Sequence, residues 1–288
     1  MTDYSKKYDF AVHTKDIANA LREIAGTLPS MRTPEVWKQC FGAIDLTTLN
    51  ATDTVEKVRT LTERVNRLPE QFAGLPPVAA ICVYPALVPT VRETLTVASV
   101  QIAAVGAGFP ASQTFLSVKC DECRLAVEQG ATEIDIVLSL GAFLAGDYAT
   151  AAYEIMQIQQ AIGNAHLKVI LETGALSPSQ IADAAFLAME AGADFIKTST
   201  GKTNPAATPE AAWIMTQCIR RFYMETGRKV GFKPAGGIVS SDDAALYYAI
   251  VRHVLGDEWL TPALFRLGAS RMANNLLGSL TGKTITYF

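Results

Sequence analysis

Five ionisable side chains stand within or at the ends of short apolar runs in this 288-residue chain: Asp45, Asp135, Glu172, Lys197 and Lys233. Lys197 closes the run 193–196, which follows a helical pattern and its stop at Gly192. An ammonium placed there must find a buried partner or give up its proton, because an unpaired charge in an apolar setting is costly. A neutral lysine amine attacks carbonyl carbons. A second ammonium at Lys233 disfavours protonation of Lys197, as burial does. The protonated imine that results is an electron sink for breaking the bond β to the imine carbon, and Asp135 could then move protons as general acid and base. Two plainer readings remain open from spacing alone. Lys197 could be a solvated surface charge, and Asp135 could merely neutralise a lysine.

Such residues meet only if the runs that carry them are neighbouring strands. Eight apolar runs appear, at 41–46, 78–83, 101–105, 133–138, 167–172, 193–196, 229–233 and 264–268. Helical periodicity separates them at intervals of roughly 30 residues, the pattern of a parallel sheet, and eight units close into a (β/α)8 TIM barrel. Barrel active sites lie on the carboxyl face of the strands, which would bring side chains from different strands into one cavity where two lysines and an aspartate could meet. A doubly wound open sheet would show fewer strands and a glycine fingerprint near its first turn, and neither is evident. We expect a single α/β domain: an N-terminal helical extension packed on the barrel over 1–40, the barrel over 41–280 and a tail over 281–288. Within the extension, a helix over 14–25 should stop at Gly26 and cover the closed end of the barrel, with 29–34 as a linker into a short helix through Trp37.

Glycine-containing turns follow the last three runs: Gly201-Lys202, Gly236-Gly237 and Gly268-Ala269-Ser270. Loops after barrel strands seven and eight often hold phosphate, because glycine lets backbone amides approach the anion. Composition narrows the partners. With 49% apolar and 18% charged residues and a net charge of -3, neither nucleic acid nor an anionic membrane is expected as a partner. No window reaches the ~18 uninterrupted apolar residues of a membrane helix. The N-terminus lacks a signal-peptide core, and five scattered cysteines fit a reduced, cytoplasmic setting. Cys120 and Cys123 have no second pair and read as structural; His13, His166 and His253 share no metal-ligand spacing.

With those residues in view, the sequence closely resembles the deoxyribose-phosphate aldolases, class I Schiff-base enzymes with an α/β barrel. The stretches that carry it are IDLTTLN from Ile44, AAICVYP from Ala79, EIDIVLS from Glu133, LKVILETG from Leu167, DFIKTSTGK from Asp194, GFKPAGGI from Gly231 and FRLGAS from Phe265. They cover seven of the eight runs. The resemblance implies reversible cleavage of 2-deoxy-D-ribose 5-phosphate to D-glyceraldehyde 3-phosphate and acetaldehyde, with no cofactor and no metal. It implies Lys197 as the imine-forming nucleophile, Lys233 as the ammonium that tunes it and Asp135 as the proton donor and acceptor. Asp45 would support that relay and bind a substrate hydroxyl, with Thr200 nearby. Gly201, Lys202, Gly236, Gly237, Gly268 and Ser270 would line the phosphate pocket.

Two positions depart from the family pattern. Val239 stands where a basic residue often follows the Gly-Gly turn, and Arg271 where a second hydroxyl residue often follows GAS. Arg271 is expected to restore the charge missing at 239. Some members end in a tyrosine that reaches the site, so Tyr287 is a further candidate, against a frayed terminus. Another lysine-imine barrel, such as a transaldolase or a pyridoxal-phosphate enzyme, and a phosphate-binding barrel without turnover are the competing readings. For assembly, a homodimer is the working expectation, although the sequence does not set it.

Overall fold

The computed structural model describes residues 4–288, so residues 1–3 of the expected extension lie outside the described residues. Three helices come first: α1 (Tyr4–Lys7), α2 (Thr14–Met31) and α3 (Pro34–Gly42). The alternation then runs β1 (Ile44–Thr47), α4 (Val55–Gln71), β2 (Ala80–Val83), α5 (Val88–Thr94), β3 (Gln101–Val105), α6 (Leu116–Glu128) and β4 (Glu133–Val137). It continues through α7 (Leu140–Leu144), α8 (Tyr148–Ile162), β5 (His166–Ile170), α9 (Pro178–Glu190), β6 (Phe195–Lys197), α10 (Pro209–Thr226) and β7 (Gly231–Lys233). The last elements are α11 (Ser241–Leu255), β8 (Leu267–Ala269) and α12 (Arg271–Thr281).

Every ladder is parallel, and the strand order β7-β6-β5-β4-β3-β2-β1-β8 is that of a barrel. The seam between β7 and β8 is not a continuous ladder. It closes through two bridges, Phe232 with Phe265 and Ala235 with Gly268. Register decides which side chains meet inside. Lys197 pairs with Lys233, and Asp135 with Lys168. Neighbouring strands lie ~4.8 Å apart, so paired residues stand side by side at the same height in the barrel.

Helix starts follow capping chemistry. Thr33, Thr54, Ser177, Thr208 and Ser240 each accept a backbone N–H of the first turn, a contact worth ~1 kcal/mol. Pro34, Pro178 and Pro209 follow three of these caps, at the first helical position where a missing N–H costs nothing.

The N-terminal segment differs from expectation. α2 runs through Gly26 and Pro29 to Met31, and only Arg32 and the N-cap Thr33 separate it from α3. Pro29 sits in the last turn, where the lost hydrogen bond and ring clash affect little remaining helix. α2 packs against α10 and α11 on the outer wall of the barrel rather than over its closed end. Residues ahead of it are tied to the same wall. The Tyr8 ring stacks on Phe186 at 4.2 Å, its carbonyl accepts from Arg221, and Ser5 donates to Asp183. The run at 41–46 also divides: Phe41 and Gly42 finish α3 and only Ile44 onward is strand. Continuous apolar runs cannot separate a buried helix end from a buried strand by periodicity.

Candidate active site

Strands buried on both faces admit few charges, and those here form one cluster inside the barrel. Asp45 on β1, Glu133 and Asp135 on β4, Lys168 on β5, Lys197 on β6, Lys233 on β7 and Arg266 just before β8 are each at most 3% exposed. Asp135 sits at its centre. One carboxylate oxygen accepts from Lys168 at 2.9 Å; the other accepts from both Lys197 and Lys233 at 2.7 Å. Below it, Arg266 donates to Asp45 at 2.7 Å and to both oxygens of Glu133 at 2.7 and 3.0 Å. Lys168 reaches Glu133 at 2.6 Å, and Lys233 donates to Asp45.

Three carboxylates therefore face four cationic groups. The imbalance of one positive charge falls on whichever cation is least well partnered. Lys168 has three carboxylates within 3.7 Å, Lys233 has two and Arg266 has two. Lys197 has only Asp135. Burial is the largest influence on Lys197 and lowers its pKa; Asp135 pulls it up, Lys233 pushes it down, and the net shift is downward. Lys233 and Lys168 go the other way, because their carboxylates outweigh burial and raise them. Asp135 is pushed up by burial, but Lys168, Lys197 and Lys233 hold it well below the ordinary carboxylate range. Lys197 is thus the amine most readily found neutral.

Lys197 is also the member of the cluster that lines a cavity, of about 220 Å³, on the carboxyl face of the strands. That is below the ~300–1,000 Å³ of drug-sized sites and suits a small metabolite. Thr200, Gly201, Lys202, Gly236, Gly237, Gly268, Ser270 and Arg271 line its wall. Gly236 needs to be glycine. Its φ is +84°, and a Cβ there would stand 2.8 Å from Ala206 Cβ and 3.0 Å from Gly201 Cα. Thr198 stitches the β6 and β7 ends together, accepting from Ala235 N at 2.9 Å. The Lys202 ammonium crosses the mouth to the Leu49 carbonyl. The two nearest helix N-termini are not equivalent. On α11, Asp243 takes the N–H groups of Val239 and Ser240 at 3.1 and 2.8 Å, which places a carboxylate where an anion would sit. On α12, Ser270 makes no side-chain cap, and its first turn faces the cavity without an acid.

Lys197, Thr200, Gly201, Lys202, Gly236, Gly237, Gly268, Ser270 and Arg271 are therefore brought to one cavity, with Lys233 and Asp135 directly beneath. Arg271 is exposed on the first turn of α12 at the rim. Asp45 is not at the cavity. It is fully buried, and its oxygens are engaged by Lys233 and Arg266. Tyr287 is neither frayed nor near Lys197. Its hydroxyl donates to the Arg64 carbonyl at 2.7 Å on α4, its ring packs edge-on against Phe72, and Asn274 accepts its N–H. Glu172 lies beyond the end of β5 with φ +54°, not in the strand. Glu133, Lys168 and Arg266 escaped the sequence reading because none of them closes its run: Glu133 opens one, and Lys168 and Arg266 lie within theirs. The signal was present: a charge within a strand buried on both faces requires an opposite charge close by. All five cysteines are free thiols.

Comparison with known proteins places this geometry. Residues 40–256 match the family model described as DeoC/LacD family aldolase. A Homo sapiens protein named deoxyribose-phosphate aldolase is 44% identical over 81% of this chain and 77% of its own. A Caenorhabditis elegans relative, provisionally given the same name, is 42% identical over 92% of this chain and 88% of its own. The solved deoxyribose phosphate aldolase from Aeropyrum pernix, described as tetrameric, superposes with a TM-score of 0.68 at 24% identity, covering 94% of this chain and 99% of that one. That likeness speaks to the fold alone. With a family match across most of its barrel and relatives above 40% identity along most of its length, the chain belongs to the DeoC/LacD family of aldolases.

Proposed function

We propose that this aldolase cleaves 2-deoxy-D-ribose 5-phosphate reversibly to D-glyceraldehyde 3-phosphate and acetaldehyde through an imine on Lys197. The observation that carries the reading is the surplus of one positive charge in the buried cluster, placed on the lysine that lines the cavity. The neutral Lys197 amine attacks C1 of the open-chain sugar, and loss of water with uptake of one proton relayed from Lys233 through Asp135 leaves a protonated imine. That imine carries the positive charge that the neutral amine lacked, and Asp135 at 2.7 Å faces it. Removal of the C3 hydroxyl proton breaks the C2–C3 bond, whose electron pair flows into the imine to give an enamine. D-Glyceraldehyde 3-phosphate leaves, the enamine carbon takes a proton, and hydrolysis returns acetaldehyde and the free amine. Asp135 touches both amines through one oxygen, so protons pass between Lys197 and Lys233 across a single acceptor. The test is reduction by borohydride in the presence of acetaldehyde, followed by peptide mass mapping. The expected adduct sits on Lys197; an adduct on another lysine, or none, overturns the reading.

The pH profile follows from the lowered Lys197 pKa. The neutral amine is the active form, so activity falls as pH drops through that pKa, and a lower pKa extends activity towards acid. Lys233→Leu removes the adjacent ammonium and leaves Lys197 more firmly charged. The acidic limb of kcat/KM is expected to move to higher pH by roughly 1–3 units. An unmoved limb would show that Lys233 does not tune the amine.

The phosphate is proposed to sit among the Gly201, Gly236, Gly237 and Gly268 loops, Ser270 at the α12 N-terminus and the Lys202 ammonium. Arg271 supplies at the rim the charge absent at Val239. Lys202→Met is expected to raise KM for the phosphorylated sugar about 10- to 100-fold, the worth of a charge-assisted contact. Arg271→Ala should raise the same KM less, about three- to tenfold, at an exposed position. Parallel assays on unphosphorylated deoxyribose separate phosphate binding from chemistry. Catabolic use in a reduced cytoplasm is part of the proposal, supported by the five free thiols. A homodimer is proposed for its assembly, with equilibrium sedimentation as the check.

A further inference from the structure

Glu172 is a buried carboxylate that the mechanism above does not use. It is 4% exposed, and among the described residues no ion pair involves it. A carboxylate taken from water without a cation must be held by other donors, and both of its oxygens face the same residue. One accepts the Thr200 N–H at 3.0 Å; the other accepts the Thr200 hydroxyl at 2.6 Å. The Thr200 hydroxyl oxygen in turn accepts the Lys202 N–H at 3.0 Å.

The backbone is bent to achieve this. After β5, the Leu171 N–H still pairs with the Lys197 carbonyl at 2.9 Å, continuing the ladder. Glu172 then adopts φ +54° and ψ +58°, left-handed values that side chains other than glycine and asparagine avoid. The Thr173 N–H donates to the Thr198 carbonyl at 2.9 Å, so the kinked segment stays fastened to the loop that follows β6. The kink and the two-oxygen clasp together fix residues 198–202. That loop carries Gly201 and Lys202, both of which line the cavity.

We propose that Glu172 is a positioning residue for phosphate selectivity: through Thr200 it holds the Gly201-Lys202 turn in its anion-binding shape. This rests on the phosphate placement proposed above. A carboxylate suits the role because it only accepts. The Thr200 hydroxyl must therefore give its proton to Glu172 and offer its lone pairs to the Lys202 N–H.

The experiment compares kcat and KM for 2-deoxyribose 5-phosphate and for 2-deoxyribose in the wild type, Glu172→Gly and Glu172→Gln. Glycine keeps the left-handed backbone without the carboxylate. Glutamine keeps the shape but presents an amide N–H to one of the two donors. The ratio of kcat/KM between phosphorylated and unphosphorylated sugar is expected to fall about tenfold or more in Glu172→Gly and about threefold or more in Glu172→Gln. The loss should lie in KM for the phosphorylated sugar, with the rate of borohydride trapping by acetaldehyde at the wild-type value. A ratio within twofold of wild type in either folded variant, or equal losses on both sugars, overturns the proposal. A wild type that cleaves 2-deoxyribose 5-phosphate no better than 2-deoxyribose overturns the phosphate placement instead.

Discussion

Replacing Lys197 by leucine is expected to lower cleavage of 2-deoxyribose 5-phosphate by at least about 10⁴-fold, the scale of removing a covalent nucleophile. Borohydride trapping with acetaldehyde should vanish in the same sample. Stability should behave differently. The wild-type cluster holds four cations against three carboxylates, and Lys197→Leu leaves three against three. Leucine brings an apolar group of lesser reach into a site whose charge is now balanced, so the melting temperature is expected to hold or rise. A correctly folded variant that retains turnover would remove Lys197 from the mechanism. A variant that melts early would show that the charge surplus is not where the contacts place it.

Asp135→Asn has the opposite signature. It removes the acceptor shared by Lys168, Lys197 and Lys233 and leaves two carboxylates among four cations, all buried. Breaking a buried network by removing one partner costs about 3–5 kcal/mol, and at roughly 2–4 °C per kcal/mol the midpoint should fall by about 10 °C. Loss of the proton carrier adds a rate decrease of about 10²- to 10⁴-fold. Differential scanning calorimetry and steady-state assays on the same preparation read both. Turnover within tenfold of wild type would assign Asp135 a purely neutralising part.

The contrast between these two variants reflects what the sequence made legible. Lys197 and Lys233 were readable because each closes an apolar run beside a small hydroxyl residue or a proline, and Asp135 because it is an acid set between Ile134 and Ile136 inside one; parallel strands of one barrel must point their carboxyl ends the same way. Depth was not readable. Asp45 lies near the end of its run, yet Arg266 and Lys233 hold it in the floor, and those partners come from the last two strand units of the chain. Glu172 also looked like a strand end. Its left-handed kink depends on hydrogen bonds to a loop 28 residues further on, a contact that no local pattern encodes. The tail was misjudged for the same reason. Tyr287 is held by Asn274 and Arg64, partners supplied by two separate helices.

One consequence of the floor concerns the order in which a growing chain becomes competent. Arg266 comes from the last strand unit, yet it discharges acids contributed by the first and fourth. Before it docks, three lysines face three carboxylates, and nothing compels any of them to surrender a proton. The fourth cation, and with it the surplus of positive charge, enters the cluster only with the last strand unit.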